Sequence, residues 1–499
     1  MDSRTRRSSR LASLLALTIL ALAVGLIGTE PAATASSPAT VTFSLSSAWT
    51  VPGRCVEATV GVAPDKTSQT VTIQRLSGGS WTRVTDVVLG AGSTATVPVC
   101  FGWAFLGNVQ LRASWPTDGQ NSAATSGTTS LTVKRAVWMS GVDAATAGRS
   151  MSVTVADDGM FVYRRGDTTL RPPASNEKLL MSMTMLNAVG PDRQITTQAA
   201  AAAVVDGVVP GNLWILGGGD PTVTTARLFT LADRIKAAGI VSIKGRVMGS
   251  TRYFSHDWWA PGWKPDFPRD EVALPTALTF NSNTVHGVHI RDPEFRAAVT
   301  LTNRLRAIGV HVAGKPGAWS PGVPLHPIAS LTSAPMSELL RWTDVPSWNF
   351  GAETLGKLVG AVRYGAPGTI ARGAAAIRAF TSARDVHVSA YDSSGLSYSD
   401  RITTMGMVRL LIDAESAPWG VDVRMALPFP GEGTLTGRLG GLRVRAKTGT
   451  LDNVSALSGW VWVGSEERWA EFSILSSGYT PTLKHVEDQI VRLIANHPA

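Results

Sequence analysis

Three short polar motifs, each occurring once and in a fixed order, constrain this chain more tightly than any average over it. Lys178 is the only lysine with a serine three residues before it, Ser175. Asn349 is the only asparagine with a serine two residues before it, Ser347, and Lys447-Thr448-Gly449 is the single Lys-Thr-Gly string. The first motif lies in Arg171-Pro-Pro-Ala-Ser175-Asn-Glu-Lys178, ahead of an apolar run rich in Leu and Met. Two prolines disfavour helix before it, so a helix is expected to begin near Ser175. Hydroxyl and amine then share one helix face, one turn apart. Such a pair can act as nucleophile and base if the amine is neutral, and burial or a second cation would lower its pKa.

The rest of the chain divides by composition and period. Charged residues are 17% and hydrophobic residues 44%, which suits a globular, multidomain protein rather than a disordered one. The net charge of +9 is spread out, with no dense basic run interleaved with aromatics, so nucleic-acid binding is not expected. Residues 1–35 read as an export signal: Arg4, Arg6, Arg7 and Arg10, an apolar stretch over 11–28, then Ala33-Thr34-Ala35 as a small-residue cleavage site. An uncleaved anchor is the alternative. The implied location is outside the cytoplasmic membrane, extracellular or associated with the cell wall or membrane surface. Cys55 and Cys100 form an even pair in an exported chain and suggest one disulfide, with two separate thiols as the alternative.

Residues 36–135 contain six or so short β-rich runs punctuated by Gly, Ser, Asp and Pro, which suggests an immunoglobulin-like sandwich whose sheets a Cys–Cys staple could join. A hairpin with an Asp157-Asp-Gly turn follows and leads into the Ser175 helix. No helical period is legible over residues 135–149. Residues 206–330 read as a mixed domain inserted between residues 136–205 and 331–499. Within it, Thr225 opens a helical stretch and Ile243-Lys-Gly-Arg-Val-Met248 reads as one strand. His286 and His289 have no third ligand at metal spacing, so no metal site is expected. After residue 333 the chain is helical, and its end is strand-rich with a closing helix. Strands from both ends plus helices predict an α+β domain, an antiparallel sheet covered by helices.

These residues resemble the penicillin-binding proteins and serine β-lactamases, within them the class C low-molecular-mass D-alanyl-D-alanine carboxypeptidase/endopeptidase family. Pro-Pro-Ala-Ser175, Gly217-Gly-Gly-Asp220-Pro, Ala260-Pro-Gly-Trp263, Asp392-Ser-Ser-Gly-Leu-Ser and Gly433-Thr-Leu-Thr-Gly-Arg438 carry the resemblance beside the three motifs. The separation of 172 positions from Ser175 to Ser347 matches a family that inserts domains there, although the insert is short for it. The resemblance implies a transpeptidase-like domain acting on peptidoglycan stem peptides, with β-lactams as covalent inhibitors and no cofactor. It also implies roles. Ser175 attacks the D-Ala-D-Ala carbonyl; Lys178 is the base, kept neutral with help from Lys447; Ser347 relays a proton from Lys178 to the leaving amine. Asn349 holds Lys178 and the substrate amide, Lys447, Thr448 and Gly449 receive the terminal carboxylate, and the Thr450 N–H joins that of Ser175 in an oxyanion hole. Asp266 is expected to face the substrate's diamino-acid side chain. Arg438 is either structural or near the carboxylate. The alternatives are a β-lactamase or esterase on the same fold and an idle wall-binding protein. A metallopeptidase is excluded by the lack of a His-Glu-x-x-His cluster.

Overall fold

The computed structural model describes residues 37–464 and 467–496; the export segment lies outside the described residues. The stretches before and after the insert meet in one five-stranded antiparallel sheet. Its order is Met160–Arg165, Ser150–Asp157, Arg468–Ser477, Val454–Val463, Val444–Leu451. Helices cover both faces, so Ser150–Asp157 is buried almost throughout and reads as a small and apolar run rather than an alternating one. On one face Val137–Thr146 and Thr480–Ala495 pack Trp138, Met139 and Val142 with Val486, Ile490 and Phe472. On the other, Glu177–Val189 and Asn349–Tyr364 bury Leu179, Leu180, Met183, Leu355 and Val359 against Ala456, Trp460 and Leu475. The expected α+β arrangement is therefore what forms.

The helix Val137–Thr146 escaped the sequence reading. It has Gly141 at its middle and no side-chain oxygen cap, both weak local signals. It forms against the closing helix, where Gly141 lets Leu493 approach: an added Cβ would stand 3.0 Å from Leu493.

The N-terminal unit is two-layered. One sheet has the strands Thr40–Leu45, Cys55–Ala63 and Thr94–Cys100, and the other runs through Thr129–Val133, Gly107–Trp115, Thr70–Ser77 and Ser80–Val88. Ser80–Val88 is an edge strand whose residues are all exposed or half-buried, so it carries no buried apolar face. Cys55 and Cys100 are disulfide-bonded, but not between the sheets. They face each other across adjacent strands of the smaller sheet, so the bridge pins one pair of strands.

The insert has its own mixed five-stranded sheet, Gly317–Trp319, Val247–Ser250, Leu213–Leu216, Thr196–Ala201, His326–Thr332. Thr196–Ala201 precedes residue 206 and His326–Thr332 passes 330, so this unit is wider at both ends than its expected bounds. The single strand expected over 243–248 is two, Ser242–Ile243 and Val247–Ser250, in different sheets. Gly245 lies between them, where an added Cβ would sit 2.5 Å from the Gly211 carbonyl oxygen. Residues 254–278 leave the insert's sheet and pack Ala260, Trp263 and Phe267 on Leu396 and Ile370.

Candidate active site

The three motifs converge where the nucleophile helix meets the edge strand Val444–Leu451. A 3-10 turn, Ala174–Asn176, precedes the helix and holds Ala174 at φ 48°. Ser347 itself lies at φ 61° in the bend before its helix. Non-glycine residues adopt this left-handed region at a cost of order 1 kcal/mol or more, and the packing around them must hold them there. One device is Gly449, where an added Cβ would lie 2.7 Å from the Pro173 carbonyl oxygen; its absence lets the edge strand close on the Ser175 turn.

Lys178 is fully buried and its Nζ has three partners: Ser175 Oγ at 3.1 Å, Asn349 Oδ1 at 2.7 Å and the Ser394 carbonyl oxygen at 2.6 Å. Two of these can only accept, whereas the Ser175 hydroxyl can also donate. A neutral amine therefore spends its two N–H groups on the carbonyl oxygens and turns its lone pair to Ser175. An ammonium donates to all three. The same geometry serves both ends of a proton transfer. Burial pulls Lys178 down to about 8, against the opposing charges of Asp392, Asp344, Glu353 and Glu271. Burial, rather than the charge of Lys447, is thus the principal cause. Lys447 is itself drawn down to about 7, by burial first and then by Lys178, with Asp344 opposing.

Lys447 Nζ donates to Ser347 Oγ at 2.9 Å and to the Thr448 carbonyl at 3.0 Å. The partner of Ser347 is thus Lys447, where Lys178 was expected. The Thr448 hydroxyl donates to Thr434 Oγ1 at 2.7 Å, adding a residue the motifs do not name. Ala446 N–H donates outward to the Pro428 carbonyl, away from the neighbouring strand. Backbone direction repeats every second residue, so the main-chain groups of Thr448 and Thr450 also face outward, toward the cleft.

Among the described residues, Asp266 hydrogen-bonds none of these groups. It is exposed at the start of the short helix Phe267–Asp270. Glu271 comes closer: its carbonyl accepts from Asn349 Nδ2 at 3.1 Å, and its charge acts on Lys178. Glu271 also lines a cavity of about 570 Å³ beside Thr450, with Lys264, Tyr398, Asp452 and Tyr479. No local pattern marks Glu271, and the strings around Ser394 and Thr434 do not single out those two residues, because each reaches the site through tertiary approach of a loop. Arg438 is structural, pairing with Glu487 at 3.0 Å and Asp488 at 2.7 Å on the closing helix.

Comparison with known proteins gives the family and the fold. The sequence profile of the D-Ala-D-Ala carboxypeptidase 3 (S13) family matches residues 140–287 and 281–497. A D-alanyl-D-alanine carboxypeptidase of Actinomadura sp. (strain R39) is 28% identical over 455 residues, covering 71% of this chain and 83% of its own. Carboxypeptidase DacB of Mycolicibacterium smegmatis is 28% identical over 377 residues, covering 68% and 79%. Penicillin binding protein 4 (dacB) of Haemophilus influenzae superposes with TM-score 0.64 at 20% identity, over 72% of this chain and 99% of that one. Its complex with a β-lactam superposes with TM-score 0.60. These two likenesses show the fold of the penicillin-binding proteins.

Proposed function

The chain belongs to the D-Ala-D-Ala carboxypeptidase 3 (S13) family and is a serine-type carboxypeptidase; from that premise we propose how its own residues carry out the reaction. Ser175 Oγ attacks the carbonyl of the terminal D-Ala-D-Ala bond of a peptidoglycan stem peptide as its proton passes to the Lys178 lone pair. The N–H groups of Ser175 and Thr450 stabilise the oxyanion. The proton taken up by Lys178 is returned to the leaving nitrogen, while Ser347, held by Lys447 at 2.9 Å, hydrogen-bonds that nitrogen as it departs. D-Alanine leaves, and water hydrolyses the ester. Lys447, Thr448 and Thr434 take the terminal carboxylate, and Asn349 orients the substrate amide. The cavity edged by Glu271 takes the preceding stem residue, in the role expected of Asp266. A cross-linked stem presents the same bond chemistry, so endopeptidase action follows from the same site.

The observation that carries this reading is the threefold coordination of Lys178, with two obligate acceptors and one hydroxyl. A β-lactam amide enters as the substrate amide does and leaves Ser175 acylated. Export to the cell wall space is part of the proposal, supported by the pattern of residues 1–35 and by the Cys55–Cys100 bond. No helix among the described residues is long and apolar enough to cross a membrane. The test is labelling with a fluorescent penicillin beside a Ser175→Ala variant, followed by D-alanine release from a pentapeptide. A covalent adduct on the parent alone, with D-alanine released, is expected. A folded parent that takes no label and turns over no drug would sink the reading.

A further inference from the structure

The three motifs account for two partners of Lys178 and leave the third, the Ser394 carbonyl oxygen, outside them. Ser394 sits in a buried turn, residues 392–397, that is held on several sides. The Asp392 carboxylate accepts the N–H of Gly395 at 2.7 Å and of Ser397 at 2.8 Å, and the indole N–H of Trp263 at 2.6 Å. Glu353 Oε1 accepts the N–H of Ser393 at 2.9 Å and of Ser394 at 2.8 Å. Two glycines allow the close fit. A Cβ on Gly395 would stand 1.8 Å from the Ala174 carbonyl oxygen, and one on Gly356 would stand 2.0 Å from Ser393 Oγ. The Ser394 residue is therefore gripped at its N–H by Glu353 and at its carbonyl by Lys178. Glu353 follows Asn349 by one turn of the helix Asn349–Tyr364. One helix face thus supplies the direct acceptor for Lys178 and the holder of the other.

Resting on the reading of Lys178 as the base, we propose that Glu353 is a positioning residue that acts through Ser394 to aim the Lys178 lone pair at Ser175. A primary amine has three tetrahedral directions. Two N–H groups fixed on immobile acceptors determine the third direction, while one fixed acceptor leaves the lone pair a choice between the two that remain. The requirement is for an acceptor oxygen at the right reach, and charge is secondary. Burial and the charge of Asp392 push Glu353 up to about 8, so a neutral side chain of equal length is a close substitute.

The test separates reach from charge. Acylation by a fluorescent penicillin, followed in stopped flow over a range of drug concentrations, gives a limiting rate, a pre-acylation dissociation constant and a labelled fraction. Glu353→Gln keeps the length and loses the charge, and it should retain the larger part of the limiting rate. Glu353→Asp keeps the charge and withdraws the oxygen by one methylene. It should acylate about tenfold to a hundredfold more slowly, with the dissociation constant nearly unmoved. Gly356→Ala, which crowds Ser393 without touching a carboxylate, should slow the same step. The inference is overturned if Glu353→Asp reacts at the parental rate, or if Glu353→Gln is the slower of the two. It is also overturned if the loss appears only in the labelled fraction, as a folding defect would give. Should Glu353→Asp not fold, Gly356→Ala at the parental rate would overturn it. A parent that takes no label would instead refute the assignment of Ser175.

Discussion

The two edges of the central sheet have opposite fates. The edge strand Met160–Arg165 is covered by the N-terminal sandwich: Gly102 approaches it so closely that an added Cβ would lie 2.9 Å from the Phe161 carbonyl oxygen. Trp103 meets Tyr163 at 5.2 Å between ring centroids, Trp138 meets the same ring at 5.7 Å, and the Arg135 guanidinium lies 4.8 Å from the Trp103 ring. The other edge strand, Val444–Leu451, is met at Ala446 by the Pro428 carbonyl and then faces the cleft. Its neighbours are buried lysines, a strained serine and a glycine with no room for a side chain. An unpaired edge invites unwanted pairing unless it is blocked or used. One edge is closed by aromatic packing, and the other is kept open for a peptide that presents a carbonyl and a carboxylate. Stability and chemistry should therefore respond to different substitutions.

The largest expected effect lies at the open edge. Lys178→Ala should slow acylation by a fluorescent penicillin by a factor on the order of a hundred to ten thousand, with the melting temperature held or raised, because a buried amine is removed along with the base. In the parent, the base works as the free amine and Lys178 is held down to about 8. The acylation rate should thus rise with pH, about tenfold per unit below that value, and level off above it. A pH-independent rate between 6 and 9 would separate Lys178 from the proton transfer.

The next effects belong to the covered side. Replacing both Cys55 and Cys100 by Ser opens a loop of 45 residues. That should cost the sandwich about 4 kcal/mol by the chain-entropy estimate, seen as an earlier unfolding transition, with the acylation rate unchanged. Trp103→Ala should cost about 2 kcal/mol, since the ring is only half-buried, again with parental acylation. A fall in acylation rate in either variant, measured on folded protein, would break the comparison. Gly449→Ala should sharpen it: its Cβ meets Pro173 backbone, so it should lower acylation about tenfold by displacing the Ser175 turn.

What the sequence made legible follows a physical line. Ser175 with Lys178, Ser347 with Asn349, and Lys447-Thr448-Gly449 are pairs whose spacing is set by one helical turn or one strand, so local order suffices to find them. The α+β class was legible because strand-rich and helical stretches separate along the chain. Glu353, Ser394, Thr434 and Glu271 were not legible as site residues, because what each does depends on a loop or helix arriving from far away. Asp266 is the converse case: proximity in sequence to Trp263 does not fix which way an exposed loop carboxylate lies. The helix Val137–Thr146 was invisible because its stability comes from the closing helix rather than from its own residues. The disulfide shows the limit of counting cysteines, which suggests a bond but not which strands it joins.

The central sheet is also a spacer of set width. Five strands at about 4.8 Å put its two edges roughly 20 Å apart. The sandwich is docked on one edge through Gly102 and Trp103, and the cleft opens at the other, so their separation is fixed by packing and not by the length of the connecting segment. Anything that grips the sandwich holds the mouth of the cleft at that clearance. Lengthening the connection near residue 135 would leave the reach of Ser175 unchanged for as long as the aromatic contacts hold.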